Sequence, residues 1–358
     1  MRIKKALFLG TLCTAVSGMS LFAQAGVSYA KSAEKTTEAA SSEEAESEEE
    51  TSEEVTYPIT IEHAFGETVI ESKPERIATI GWENQDTPLA LGVAPVGVSA
   101  ANYGMVTDNN LHPWTDEAFA DLGVEKPVVF DDVDGLDFEQ ISDCNPDVIL
   151  AAYSGMTQED YDTLSQIAPV IPYKEKAWQT SWREQTIENA EGMGMKPEGE
   201  KKVKEVEELI AEKLEEYPQL EGIPTAFCWI SADDFSTFYV YLPTDPRAAY
   251  LLDLGFTLPE SVQKLAGETD DFNITVSREN ADQLDDIQLM VVYGDEDLLK
   301  SLQEDKLMSQ IPAIKNGAVA LVDSTSALAG ACTPSILSIP YEIDEYLQLL
   351  SDAAENIK

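Results

Sequence analysis

Short apolar runs, each bounded by helical or turn-forming residues, recur through most of this chain and dictate an α/β fold. Arg76 to Ile80, Val96 to Val98, Val128 to Phe130, Val148 to Ala151 and Val170 to Ile171 read as buried strands. Ahead of them Ile59 and Ile61, a turn at Phe65-Gly66, then Val69 and Ile70 predict an edge hairpin. Asp86 to Leu91 reads as a helix closed by Gly92. A long helical stretch follows. Trp182 to Met193 is its first piece and Pro197 is placed to start the second. Over Glu198 to Tyr217, Val203, Val206, Leu209, Ile210 and Leu214 share one face. The strand rhythm then resumes at Ala226 to Ile230, Tyr239 to Tyr241, Leu289 to Tyr293 and Val319 to Val322. Helices are expected at Arg247 to Leu254, Asp297 to Gln303 and Ser335 to Leu350. The pattern predicts two α/β lobes joined by one connecting helix.

Two compositional zones precede the folded part. Arg2, Lys4 and Lys5 lead into Ala6 to Ala30, which carries no charged residue. Small residues at Ala23, Ala25, Ser28 and Ala30 fit a cleavable export signal. Cys13 follows Leu12 early in the apolar run, which does not suit a lipid-modified cysteine. An uncleaved anchor stays open, because about 20 apolar residues span a bilayer. Lys31 to Thr56 is almost entirely Glu, Ser, Thr and Ala, so it has too little apolar surface to fold and reads as an extended acidic tether. The expected layout is therefore 1–30 signal, 31–57 tether, 58–180 N-lobe, 181–221 crossover and connecting helix, and 222–358 C-lobe.

Net charge excludes one class of partner. Of the formal −44, the signal carries +3 and the tether −8, which leaves −39 on the remainder. Binding nucleic acid needs a basic face, so it is excluded. Cys144, Cys228 and Cys332 are too few and too scattered for a disulfide framework or a zinc knuckle. His63 and His112 have no partner histidine, which removes a zinc or manganese receptor. No serine elbow, Cys-x-x-Cys pair or phosphate loop is present, so a hydrolase or oxidoreductase has no motif to rest on.

Five fragments carry a family resemblance. Pro74-Glu75-Arg76-Ile77-Ala78-Thr79-Ile80, continued by Leu89 to Val98, is similar to the opening of the iron-siderophore (class III) periplasmic binding proteins. Asn145 to Ala151, Leu164 to Val170, Trp182-Arg183-Glu184-Gln185 and Pro312 to Val319 follow in order. The resemblance covers residues 57 to 352. It implies two Rossmann-like lobes joined by a single long helix, with a shallow cleft between them and no catalysis. It also implies an exported, monomeric protein that captures a ferric siderophore and hands it to the permease of an ABC importer. No cofactor is expected, since iron arrives already chelated. An acid on the first N-lobe helix docks the permease in such proteins, and Asp86 matches it. A C-lobe counterpart is expected near the Asp245 to Asp253 helix, with Asp245 the candidate and the choice left open.

Ligands of open α/β sheets gather at the carboxyl ends of the strands. That rule selects Trp82, Glu83, Asn102, Tyr103, Tyr153 and Ser154 in the N-lobe, and Ser231, Ser324 and Ser326 in the C-lobe. Trp178, Trp182 and Arg183 lie where the chain crosses between lobes, and Tyr239 and Tyr241 add aromatic surface. Arg183, Arg247 and Arg278 are the arginines available to balance an anionic complex, which favours a catecholate-type siderophore, while neutral or cationic hydroxamates stay open because an acidic protein does not disfavour them. Surface ion pairs with acids such as Asp245 or Glu279 are the competing reading. Haem or cobalamin is the alternative ligand, with His112 as the candidate axial group.

Overall fold

A computed structural model describes residues 55–132 and 135–358. The export signal and the tether up to residue 54 lie outside the described residues.

The N-lobe opens with a hairpin of β1 (Ile59–His63) and β2 (Gly66–Ile70). Its main sheet contains β3 (Ile77–Thr79), β4 (Gly97–Ser99), β5 (Val129–Phe130), β6 (Val148–Ala151) and β7 (Val170–Pro172). All five are parallel, in the order β5-β4-β3-β6-β7. Four short helices connect them: α1 (Asp86–Ala90), α2 (Pro113–Asp121), α3 (Phe138–Asp143) and α4 (Gln158–Leu164). Alternation along β6 explains why its residues are all apolar. Val148 and Leu150 join the layer under the hairpin, while Ile149 and Ala151 join the opposite one. A strand buried on both faces has no polar side to show.

The connecting element is made of two helices, α5 (Trp182–Gly192) and α6 (Lys196–Leu214). Ser181 and Glu184 form a capping box at the start of α5, and Gly194, at φ +67°, ends it with a left-handed turn. Pro197 opens α6 as expected, since its missing N–H is no loss in a first turn. The two helices pack so closely that a Cβ on Gly199 would lie 2.5 Å from Ala190 Cβ.

The C-lobe sheet contains β8 (Thr225–Trp229), β9 (Thr237–Tyr241), β10 (Asn273–Ser277), β11 (Leu289–Tyr293) and β12 (Val319–Val322). Its order is β10-β9-β8-β11-β12. β8, β11 and β12 are parallel, whereas β9 and β10 add on antiparallel. Helices α7 (Pro246–Asp253), α8 (Glu260–Ala266), α9 (Glu296–Glu304), α10 (Pro312–Asn316), α11 (Ala327–Ala331) and α12 (Ser338–Ala354) complete the lobe. One face of the sheet packs Phe227, Leu289 and Val291 against α6, α7 and α12; Ala226, Met290 and Val292 fill the other.

Alanine normally stabilises a helix by about 1 kcal/mol over glycine. At position 199 the sign should reverse, because the α5–α6 contact has no room and overpacking costs about 1–3 kcal/mol. Gly199→Ala is expected to lower the urea midpoint; an unchanged or higher midpoint would contradict the close packing.

Candidate functional site

The carboxyl ends of both sheets meet at a cleft of about 340 Å³. Trp82, Tyr103, Tyr153 and Trp178 line it from the N-lobe. Trp229, Tyr241, Arg247, Phe272, Tyr293 and Thr333 line it from the C-lobe.

A buried amide organises the N-lobe wall. Asn84 is fully buried, and its Nδ2 donates to the carbonyls of Ile80 (2.7 Å) and Tyr153 (2.9 Å). Its Oδ1 accepts from Tyr153 N at 3.1 Å and from Asn189 Nδ2 of α5 at 2.9 Å. The loops after β3 and β6 are thereby joined, which sets Trp82 beside Tyr153; Gln185 of α5 also donates to the Trp82 carbonyl at 2.8 Å. Gly81 permits the approach. It sits at φ +82°, and a Cβ there would lie 2.7 Å from Tyr153 O. Trp178 lies edge-to-face with Tyr153 at 5.3 Å.

The C-lobe wall is built around one cation. Arg247 sits over the Tyr241 ring at 3.8 Å. Its Nε and Nη2 donate to the two carboxylate oxygens of Asp245 at 2.8 and 2.7 Å. The same carboxylate caps α7 by accepting from Arg247 N, and it is 1 % exposed. Asp245 is therefore an internal counter-ion and presents no acid for docking. The site's charge is already balanced before any ligand arrives.

Burial raises the phenol pKa values around the cleft, that of Tyr103 to about 12 and those of Tyr153, Tyr241 and Tyr293 upward as well. These rings stay neutral, so they offer apolar surface and O–H donors rather than phenolate ligands for a bare ferric ion. Among the described residues no group of three or more His, Cys, Asp or Glu converges as a metal site.

Several residues expected in the cleft have other work. Trp182 is 2 % exposed and donates from Nε1 to Asp253 at 3.0 Å. Arg183 bridges α5 to Glu207 of α6 at 2.6 Å and to Asp253 of α7 at 2.7 Å. It braces the connection instead of facing a ligand. Arg278 pairs with Asp305 at 3.3 Å, away from the cleft lining. Asp86 is fully buried, where its carboxylate accepts from Trp114 Nε1 (2.9 Å), Thr115 Oγ1 (2.8 Å) and the C-lobe's Ser335 Oγ. An acid sealed by three donors cannot dock a permease; it staples the lobes together. Glu83 is also buried, at φ +54°, below the Trp82 wall and 3.6 Å from His112. Ser231 and Ser324 line neither the cleft nor its flanking chamber, and Ser326 caps α11. Tyr239 pairs with Trp229 at 5.5 Å just outside the lining. Asn102 and Ser154 line a chamber that adjoins the cleft across Trp82 and Trp178.

A strap from the N-lobe closes one side. Tyr103 meets Tyr293 edge-to-face at 5.2 Å, and Met105 N donates to Ser326 O at 2.9 Å. Between them, a Cβ on Gly104 would lie 2.8 Å from Gly330 N. His112 backs the strap. Its Nδ1 contacts Met105 O at 3.2 Å, its ring stacks on Trp114 at 4.5 Å, and it is 2 % exposed. Burial lowers its pKa to about 4. His63 is also buried, in the hairpin.

Trp229, Phe272, Tyr293 and Thr333 line the cleft without having been selected from sequence. Trp229 and Tyr293 end β8 and β11, so the strand-end rule could have found them with strand ends placed one or two residues earlier.

Residues 77–325 match the family model described as periplasmic binding protein. The crystal structure of Streptococcus pneumoniae TIGR4 PiaA in complex with ferrichrome is similar, with 48% identity and a TM-score of 0.81. That match covers 84% of this chain and 100% of the other. The petrobactin-binding protein YclQ of Bacillus subtilis is 24% identical over 305 residues, 81% of this chain and 88% of the relative. The putative ABC transporter substrate-binding lipoprotein YhfQ of the same organism is 25% identical over 275 residues, 75% of this chain and 81% of the relative.

Buried acids give the fold a definite pH response. Burial raises Asp86 from 3.8 to about 6, and likewise raises Glu342 to about 7 and Glu188 to about 8. Raised acids hold protons more tightly when folded, so the stability they contribute at low pH is lost as pH rises through these values. His112 and His63, which burial lowers, act oppositely, but their loss sets in only below about 6.5, where Glu342 and Glu188 already hold their protons. Lowering the pH from about 8 to about 6 should therefore raise the melting temperature. A lower value at pH 6 would contradict the raised carboxyls.

Proposed function

The chain belongs to the periplasmic binding protein family, and from that premise we propose that it captures a ferric hydroxamate siderophore outside the cytoplasm for an ABC importer. The observation that carries this reading is the composition of the cleft: aromatic walls from both lobes around one arginine whose charge Asp245 already balances. Three hydroxamates neutralise Fe³⁺, so their complex is uncharged. A charge-balanced aromatic cleft suits such a ligand, since rings bury apolar area at little entropic cost and neutral phenols supply hydrogen bonds. The similarity to PiaA, whose structure holds ferrichrome, points the same way.

An anionic catecholate would call for several cleft arginines, with Arg183, Arg247 and Arg278 as the candidates. Two of them, Arg183 and Arg278, are engaged in ion pairs outside the lining, and desolvating a multiply charged complex beside one neutralised pair is unfavourable. Haem and cobalamin lose their candidate axial ligand, because His112 is buried behind the strap with Nδ1 engaged. The expected role is capture without chemistry, by a single chain. Export rests on the basic start at Arg2, Lys4 and Lys5 with the charge-free run Ala6 to Ala30 behind it, and on the likeness to YhfQ, itself named as a lipoprotein. Delivery to a permease follows the family role, with docking acids other than the buried Asp86 and Asp245.

Tryptophan fluorescence should be quenched at sub-micromolar concentration by an uncharged ferric tris-hydroxamate. Ferric tris-catecholate, haem and cobalamin should quench weakly. Quenching by the catecholate alone would keep capture but reverse the ligand class, and silence across the panel would remove the function. Arg247→Lys keeps the charge but loses the planar fork, and should weaken hydroxamate binding about tenfold, or about 1.4 kcal/mol. Full retention of affinity would leave the guanidinium without a role.

A further inference from the structure

Beside the cleft, the carboxyl ends of β3, β4 and β6 enclose a separate chamber of about 290 Å³. Trp82 and Trp178 line both spaces and form the partition between them. Ile80, Leu136 and Met156 give the chamber apolar sides, and among the described residues no Lys or Arg lines it. Asp132 supplies its carboxylate. Oδ2 accepts from Ser99 Oγ, while Oδ1 is buried without a hydrogen-bond partner. The other lining acid, Asp160, is committed to the capping box with Thr157.

We propose that this chamber receives a short alkyl-ammonium arm of the bound chelate, with the Asp132 carboxylate accepting from the ammonium. An alkyl stem matches the apolar sides, and a cationic head matches an acceptor-only carboxylate. Burial raises the Asp132 pKa and neighbouring Asp131 and Asp137 add to the rise, with the Ser99 hydroxyl and the Asp137 backbone N–H opposing it. A cation at that point relieves the repulsion. The overall charge of −44 draws cationic ligands toward the protein as well. A hydroxyl-ended arm would gain the hydrogen bond without the charge pairing, so the ammonium is the ligand group that fits best.

The assignment rests on the siderophore-capture reading and sharpens it. The test uses a linear ferric tris-hydroxamate ending in a primary ammonium, its N-acetylated counterpart and its hydroxyl-ended counterpart, titrated by tryptophan quenching. The intact protein should bind the ammonium form about tenfold more tightly than the acetylated one. Asp132→Asn should abolish that preference while leaving affinity for the acetylated form unchanged. Leu136→Trp, which fills the chamber from its apolar side, should also abolish it. Equal affinities in the intact protein, tighter binding of the hydroxyl form, or a preference that survives both substitutions would overturn the chamber's role and leave capture standing. If none of the three chelates binds, the capture reading itself fails and the chamber's role with it.

Discussion

The side-chain amide of Asn84 is the joint on which the cleft depends. It satisfies backbone groups of the loops after β3 and β6 and is itself held by Asn189 of α5. Without it, the Ile80 carbonyl and the Tyr153 N–H would lose this partner, at a cost of about 1–3 kcal/mol each, while the Tyr153 carbonyl would keep only Trp82 N. The amide is suited to this because it donates and accepts at once, which a carboxylate cannot do. Trp82 and Tyr153 inherit their positions from this joint, and the connecting helices inherit their register against the N-lobe.

Electrostatics in this protein separates into an acidic exterior and a nearly neutral cleft. Exposed acids across the surface are screened within about 8 Å at physiological salt. Inside, three charged groups have a specific local answer: Asp245 for Arg247, Asp253 and Glu207 for Arg183, and three hydroxyl or indole donors for Asp86. Selectivity in such a cleft comes from shape, aromatic area and a few fixed donors.

The parallel strands were legible because burial on both faces leaves uninterrupted apolar runs such as Val148 to Ala151. Asn273–Ser277 was not, because β10 is an edge strand with one buried residue, Val276, and shows no run. The same limit shaped the site. Trp82, Tyr103, Tyr153 and Trp178 follow directly from strand ends or the crossover. The arginines divided on long-range partners: Asp245 is two residues from Arg247, whereas Asp253 is 70 residues from Arg183. Sequence shows the first kind of neighbour and conceals the second. Asp86 misled for a related reason, since its donors Trp114, Thr115 and Ser335 all come from other elements, one of them in the far lobe.

Where Gly104 approaches Gly330, backbone lies directly against backbone, beside the Tyr103–Tyr293 ring contact. Two chains in such contact behave as a hard stop. Contact of this kind holds the cleft walls at a set separation, and a preset separation leaves less ordering entropy to lose on binding. A receptor of this kind discriminates by rejecting what does not fit an existing gap, not by wrapping around what does. Under the proposed capture role, unloading then becomes the mechanically demanding step, because separating the lobes means breaking this backbone contact.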